Sequence, residues 1–303
     1  MNQVIMDHAR AAERVLPISE NEFKSSLISN CFVLWKLPTL EKHTLTQTPV
    51  IPKYANYCEQ QNGKLHGEFL RAHLDAGLHP VVYQGENGGH LIRHVCPMMT
   101  AENTISSQGG KYDFFPHVDN PDLVITGEPI NPLKGNCPDT LTLLCLRKEE
   151  GVSTSLLKLD DVLSQLSPAH VEILATPQFA VNRPASFDKS EEVLGLPVLV
   201  SASGVWHSRF DWHNVRGMNQ DAEIALEALR YVTLEKEHWF NVLLEPGYAV
   251  TFLNQRTLHT RNAWEPRYDG TDRWLLRVFG MMTKPLDSQL LDAAACEHNL
   301  LTL

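Results

Sequence analysis

Short apolar runs, set apart by turns that carry glycine or proline, are what most restrict this chain. Residues 80–84, 92–97, 112–118, 141–147, 196–201, 248–254 and 274–280 each read as a strand. Gly88-Gly89, Gly109-Gly110 and Glu245-Pro246-Gly247 supply turns between them. Few stretches carry helical periodicity. Phe23, Leu27 and Cys31 recur at four-residue steps within 20–35, and Phe69, Leu70, His73 and Leu74 share one side of 65–77, which Gly77 stops. Ser167-Pro168 forms an N-cap followed by a first-turn proline, and Ala225, Leu229 and Val232 make an apolar stripe within 221–235. Many short strands with few helices predict a mainly β fold, barrel or sandwich, with helices packed outside. Residues 120–139 hold four prolines and two glycines and read as a long loop between two strands. Loops of that length usually carry function.

The chain has 303 residues, enough to bury a sizeable core, and shows no internal repeat. We expect a single domain over 1–303, with a leader and helical region over 1–60, a β core over about 80–282 and a tail over 283–303. The net charge of −10 disfavours nucleic acid as a partner. No apolar run approaches the ~20 residues of a membrane helix, and the opening MNQVIMDHARAAER lacks the apolar stretch of a signal peptide. The six cysteines show neither C-x-x-C nor zinc-site spacing, so we expect reduced thiols in a cytoplasmic protein.

Fourteen histidines invite a search for metal ligands. On a strand, residues i and i+2 point the same way, so H-x-D or H-x-E can present two ligands to one ion. With 14 histidines and 36 acidic residues, about two such pairs arise by chance; four occur, His66/Glu68, His73/Asp75, His117/Asp119 and His170/Glu172. Three lie in helix-patterned stretches, where i and i+2 diverge by about 200°. Only His117-Val118-Asp119 ends a strand-like run and opens onto 120–139. On spacing alone, a polar strand end at the surface is still the simpler reading.

Residues 254–280, NQRTLHTRNAWEPRYDGTDRWLLRVFG, change that balance. His259 follows the apolar run YAVTFL. Arg273, Leu275 and Arg277 share one face of the next strand, and Trp274, Leu276 and Val278 the other. Two guanidinium groups on an inward face need anionic partners, and a ligand's carboxylates, gripped in a bidentate fork, would supply them. An edge strand with both arginines in solvent is the plainer alternative. Two imidazoles and one carboxylate suit a ferrous site with open positions, or a zinc site of hydrolytic type.

At these residues the chain resembles the clavaminate synthase-like group of Fe(II)/2-oxoglutarate oxygenases. Within it, the likeness is greatest to the free amino-acid hydroxylases acting on arginine, asparagine or lysine. It rests on His117-Val118-Asp119, on LTLLCLR followed by EEGVSTS, and on LHTRNAWEPRYDGTDRWLLR, and it covers roughly residues 80–282. The resemblance implies a double-stranded β-helix (jelly-roll) core. It implies that His117, Asp119 and His259 hold Fe(2+) as the catalytic centre, with 2-oxoglutarate and O2 as co-substrates. Arg273 would bind the distal carboxylate of 2-oxoglutarate, assisted by Thr154. Arg277 would meet the substrate α-carboxylate, Ser107 its amine, and Asp211, in SRFDWHN, its side chain.

The implied reaction hydroxylates an unactivated C–H of a free L-amino acid, lysine-, arginine- or asparagine-like, giving hydroxy-amino acid, succinate and CO2. Alternatives are a taurine-type small-acid dioxygenase, a redox-inactive zinc hydrolase and a non-catalytic binding barrel. Three departures stand out. Asp119 replaces the glutamate that many of these hydroxylases use to touch the substrate amine. His213 stands where the arginine hydroxylases carry a second acid, which weakens a guanidinium substrate. The 120–139 loop is longer than the group's pattern, and a lid over the substrate is its expected role. Asp119 also argues against halogenation, which needs a small residue there. His90 and His94 read as packing or hydrogen-bonding residues, and Trp206, His207 and Trp212 as pocket or packing residues. Glu86, in a glycine-rich turn, is a further candidate for the amine but not a chosen site residue.

Overall fold

The computed structural model describes residues 19–50, 59–104, 108–291 and 299–303. Ser107, nearly all of the leader and part of the tail lie outside the described residues. Helix α1 (Glu20–Asn30) opens on a capping box, in which the Ser19 hydroxyl accepts from the Glu22 N–H and the Glu22 carboxylate accepts from the Ser19 N–H. The pattern over 20–35 predicts a longer helix. Instead Cys31 turns left-handed at φ 66° and strand β1 (Phe32–Lys36) follows. The reason is a period-two pattern, with Phe32 and Leu34 entering one core while Val33 and Trp35 enter another.

Helix α2 (Glu59–Asp75) leads to β2 (His79–Tyr83), β3 (Arg93–Val95), β4 (Phe114–His117), β5 (Thr140–Arg147) and β6 (Thr154–Lys158). Residues 159–233 form helices α3 (Leu159–Leu163), α4 (Pro168–Leu174) and α5 (Gln220–Thr233) around short strands. These are β7 (Phe179–Asn182), β8 (Glu192–Leu196), β9 (Leu199–Ala202), β10 (Val205–Ser208) and β11 (Val215–Gly217). The strand expected over 196–201 is divided between β8 and β9, because Pro197 has no N–H for a ladder. β12 (Phe240–Val242), β13 (Tyr248–Leu253), β14 (Thr257–Arg261), β15 (Trp274–Met281) and β16 (Asn299–Leu301) complete the set. The architecture is mostly β with flanking helices.

A seven-stranded sheet runs β1-β13-β5-β15-β2-β16, with β3 also paired to β15, and a four-stranded sheet runs β12-β6-β14-β4. Their facing sides share one core, to which the larger sheet gives Leu143, Val250, Phe252 and Leu275 and the smaller gives Leu156 and Val242. The back of the larger sheet packs on α1 and α2 through Trp274, Leu276 and Val278 against Phe23, Leu27 and Phe69. Each such side chain contributes roughly 1.5–3 kcal/mol on full burial. Strand β15 is therefore buried along its whole length and still alternates faces.

Residues 120–139 do connect β4 to β5, but they are bolted down. The fully buried Arg209 donates to the carbonyls of Pro121 (2.7 Å), Leu123 (2.9 Å) and Pro197 (2.8 Å) and pairs with Glu128. Arg183 pairs with Asp122 at 2.7 Å, and the Tyr83 hydroxyl donates to the Asn136 carbonyl at 2.6 Å. Leu123, Ile125 and Cys137 belong to the same buried cluster as the core residues of both sheets. Cys31, Cys96, Cys137 and Cys145 are buried free thiols, whereas Cys58 and Cys296 lie outside the described residues.

Candidate metal centre

Strands β4 and β14 are neighbours, and their register sets His117 directly opposite His259 with ring centroids 4.0 Å apart. The Phe115 carbonyl carries no proton, so His117 Nδ1, 2.8 Å away, must donate to it. That leaves the lone pair on Nε2, which is buried, lacks a hydrogen-bond partner among the described residues and lies 3.6 Å from Asp119 Oδ1. One ligand atom from each of His117, Asp119 and His259 lies within 4.8 Å of the others. The three competing H-x-D/E pairs lie on α2 and α4, where helical geometry separates their side chains.

Burial pushes the His259 imidazole down to about 3, and His117 beside it adds to the effect, so it presents a neutral, ligating ring. Burial also works to raise the Asp119 carboxyl, but Arg277, the two imidazoles and Arg93 outweigh it and hold the group below the usual aspartate value. A neutral His259 ring, an ionised carboxylate and the buried His117 Nε2 fit a divalent transition ion with three protein ligands.

The cluster lies on the wall of a cavity of about 460 Å³ between the two sheets. Arg273, Leu275 and Arg277 all line it, as the alternation predicts. Arg273 is 5% exposed, donates to Thr154 Oγ1 at 3.2 Å and lies 5.9 Å from the Trp264 ring. Burial lowers its guanidinium to about 10, so it stays charged, yet no described carboxylate pairs with it.

Arg277 is better provided. It donates to Glu86 Oε1 at 2.5 Å and reaches Asp119 Oδ2 at 3.4 Å. Arg93 approaches the same Glu86 oxygen at 3.5 Å from β3. Glu86 is buried, and its second oxygen has no partner among the described residues. Arg261 lines the cavity two residues beyond His259, where it donates to the carbonyls of Gly109, Gly110 and Tyr112 and fastens that turn to the wall.

Asp211 faces the cavity beside His213 and Asn214. Its carboxylate already accepts from the His213 N–H (2.9 Å), the Asn214 N–H (3.0 Å) and the Asn214 side-chain amide (2.8 Å). None of residues 120–139 lines the cavity; Pro184, Ala185 and Ser186, between β7 and β8, do.

Reading the sequence alone leaves Arg93 and Arg261 out and gives Glu86 too little weight. For the arginines a signal existed: Arg93 alternates with His94 in an apolar strand, and Arg261 stands at i+2 from His259. For Glu86, in a turn, none did. His94 points away from the cavity and accepts from the Trp274 indole N–H at 3.0 Å, and Trp212 stacks on Phe115 with centroids 4.9 Å apart, so both serve packing.

No family model matches the chain. Over 232 residues it is 30% identical to the L-asparagine oxygenase of Streptomyces coelicolor, covering 71% of this chain and 63% of that protein. Over 250 residues it is 24% identical to the L-lysine 3-hydroxylase of Catenulispora acidiphila, covering 80% and 62%. The matched region thus spans a little under two thirds of these relatives' lengths. Among solved structures, asparagine oxygenase in complex with Fe(II), 2S,3S-3-hydroxyasparagine and succinate shares the fold with a TM-score of 0.78. The identity there is 22%, with 94% of this chain and 84% of that one covered.

Proposed function

We propose that this chain, a relative of amino-acid oxygenases by sequence and by fold, is an Fe(II)/2-oxoglutarate-dependent dioxygenase that hydroxylates a free L-amino acid. The observation that carries the reading is Arg273, a buried guanidinium with a hydroxyl neighbour and no carboxylate partner among the described residues, in the same cavity as the His117–Asp119–His259 cluster. A cation buried in that state costs several kcal/mol unless a ligand completes it. A zinc hydrolase has no use for it. Succinate in the asparagine oxygenase complex is what 2-oxoglutarate leaves on losing CO2, which supports that oxoacid as the missing anion.

His117 Nε2, Asp119 and His259 would hold the ferrous ion. Bound there, iron supplies what side chains cannot: it lets 2-oxoglutarate and O2 convert an amino acid to its hydroxy derivative, with succinate and CO2 as the other products. The chain's own residues supply aim. Arg273 grips the far carboxylate of the oxoacid in a fork that the Thr154 hydroxyl helps orient. Arg277 and Arg93 meet the substrate carboxylate. Glu86, paired with Arg277 and Arg93 behind the cavity wall and with its second oxygen free of any described partner, is the carboxylate we assign to the substrate ammonium.

These groups together read a zwitterion. Asp211, His213 and Asn214 shape the side-chain end. With Asp211 already accepting three hydrogen bonds, that end favours an uncharged, amide-like side chain over a guanidinium or ammonium, although lysine- and arginine-like substrates remain within the class. The facing sheets fit a jelly-roll core, and the chain reads as a single oxygenase domain.

The test is succinate formation with Fe(II), 2-oxoglutarate and each common L-amino acid, read together with product mass. A gain of one oxygen on one or a few amino acids is expected. Succinate stimulated only by taurine-like sulfonates or simple acids would overturn the amino-acid assignment.

A further inference from the structure

We propose that Asn254 is a positioning residue that sets the Asp119 carboxylate for the metal by acting as a peptide surrogate between the two ligand-bearing segments. The inference rests on reading His117, Asp119 and His259 as the ligands. The β4–β14 ladder fixes His117 opposite His259, but β4 ends at His117, so Asp119 lies beyond the last rung. Immediately after it the chain turns away, with Asn120 at φ 56°. Nothing in the ladder therefore determines where Asp119 points.

Asn254 does. It is fully buried at the end of β13, five residues before His259, and its own N–H is anchored on the Asp139 carbonyl at 2.9 Å. Its Oδ1 accepts from the Asp119 N–H at 3.0 Å, and its Nδ2 donates to the Asp119 carbonyl at 2.9 Å and to the Pro138 carbonyl at 3.2 Å. One side-chain amide thus satisfies both backbone groups of one residue, as a neighbouring strand would. Aspartate at 254 would keep the acceptor but lose the donor. Gln255 makes the equivalent stitch further along, accepting from the Thr126 N–H and donating to the Cys137 carbonyl.

The clamp matters because Asp119 has a competing partner. Arg277 stands 3.4 Å from Oδ2, longer than a full charge-assisted hydrogen bond. With its backbone released, Asp119 would close onto Arg277 and leave the two imidazoles without their carboxylate. Asn254 holds it short of that pair.

The experiment uses Co(II) as a spectroscopic probe with the full-length apo protein, reading its dissociation constant and visible absorption alongside apo thermal denaturation. Asn254→Ala and Asn254→Asp should fold, bind Co(II) about 10- to 100-fold more weakly and give an altered visible spectrum, the usual effect of losing a group that orients a metal ligand. Arg277→Met added to Asn254→Ala should recover part of the affinity. Should Asn254→Ala fail to fold, Asn254→Asp, with its near-identical volume, reads the same quantities. A folded Asn254 variant with wild-type affinity and spectrum overturns the clamp. Equal Co(II) binding by wild type and His117→Ala instead overturns the metal centre itself, so the two failures are distinguishable.

Discussion

Arg277 donates to Glu86 at 2.5 Å, a buried ion pair between residues 191 positions apart. Such a pair adds little net stability, but losing one member strands the other in a low-dielectric site. Here the stranded member would be a guanidinium, with Arg93 adding a second cation at 3.5 Å from the same oxygen.

Glu86→Gln is therefore expected to cost about 3 kcal/mol of folding stability and to raise the KM for the amino acid far more than that for 2-oxoglutarate. Urea denaturation and steady-state kinetics with each substrate varied measure the two effects. Equal changes in both KM values would remove Glu86 from the amino-acid subsite.

Arg273→Met should separate stability from function. Removing a buried cation that no described carboxylate pairs with relieves its desolvation, so the apo protein should melt at the same temperature or higher. The KM for 2-oxoglutarate should rise by about 100-fold or more, the scale of a lost charge-assisted fork at ~1.4 kcal/mol per decade. Arg273→Lys should recover only part of it, since an ammonium cannot make the fork. A lowered melting temperature with unchanged oxoacid KM would contradict both halves.

Asp119→Ala and His259→Ala should each abolish iron-dependent succinate formation and the stabilisation that Fe(II) or Mn(II) confers on the folded protein. Anaerobic differential scanning calorimetry with and without the metal reads this directly. A metal-induced shift that survives in either variant would place the ion elsewhere.

Acid should weaken the fold before it touches any surface ion pair. Burial holds His66 and His73 down to about 4 and His94 down to about 3. Unfolded, each binds a proton near pH 6.5, so between pH 6.5 and 4 the unfolded chain holds more protons than the native one. This stability contribution is complete above about pH 6.5 and is lost as pH falls toward 4, on the order of 3 kcal/mol for each imidazole. Urea midpoints of the apo protein should stay level from pH 7.5 to about 6.5 and fall from there to pH 4.5. A flat profile would mean these rings are not held neutral.

Replacing residues 129–133 with a short flexible turn should leave the ratio of product to succinate unchanged, because the loop is held by Arg209 and Glu128 away from the cavity. Phe187→Ala, in the segment whose residues 184–186 line the cavity, should lower that ratio. The opposite pattern would restore the lid role to the longer loop.

Several parts of the site were legible because they follow from local periodicity. Helical spacing ruled out three of the four H-x-D/E matches and left His117 and Asp119, although Asp119 stands two residues past the end of β4. Arg273, Leu275 and Arg277 had to share a face, and they do. Helix α5 followed from its stripe. Other readings failed where two local patterns competed. The four-residue echo of Phe23, Leu27 and Cys31 suggested a helix past residue 31, yet the two-faced burial of 32–35 made a strand. The prolines and glycines of 120–139 marked a loop correctly but said nothing of its function, because Arg209, Arg183 and Tyr83 reach it from distant segments.

Residue type and spacing were enough to choose the candidate ligands, the cationic face and the mainly β character, since these depend on neighbours within a few positions. Which carboxylate would answer which guanidinium, that Glu86 lies between Arg93 and Arg277, and that Asn254 grips Asp119 are matters of long-range pairing. They were decided only when the sheets closed on one another, because a hydrogen bond or an ion pair depends on distance in space, and distance along the chain does not encode it.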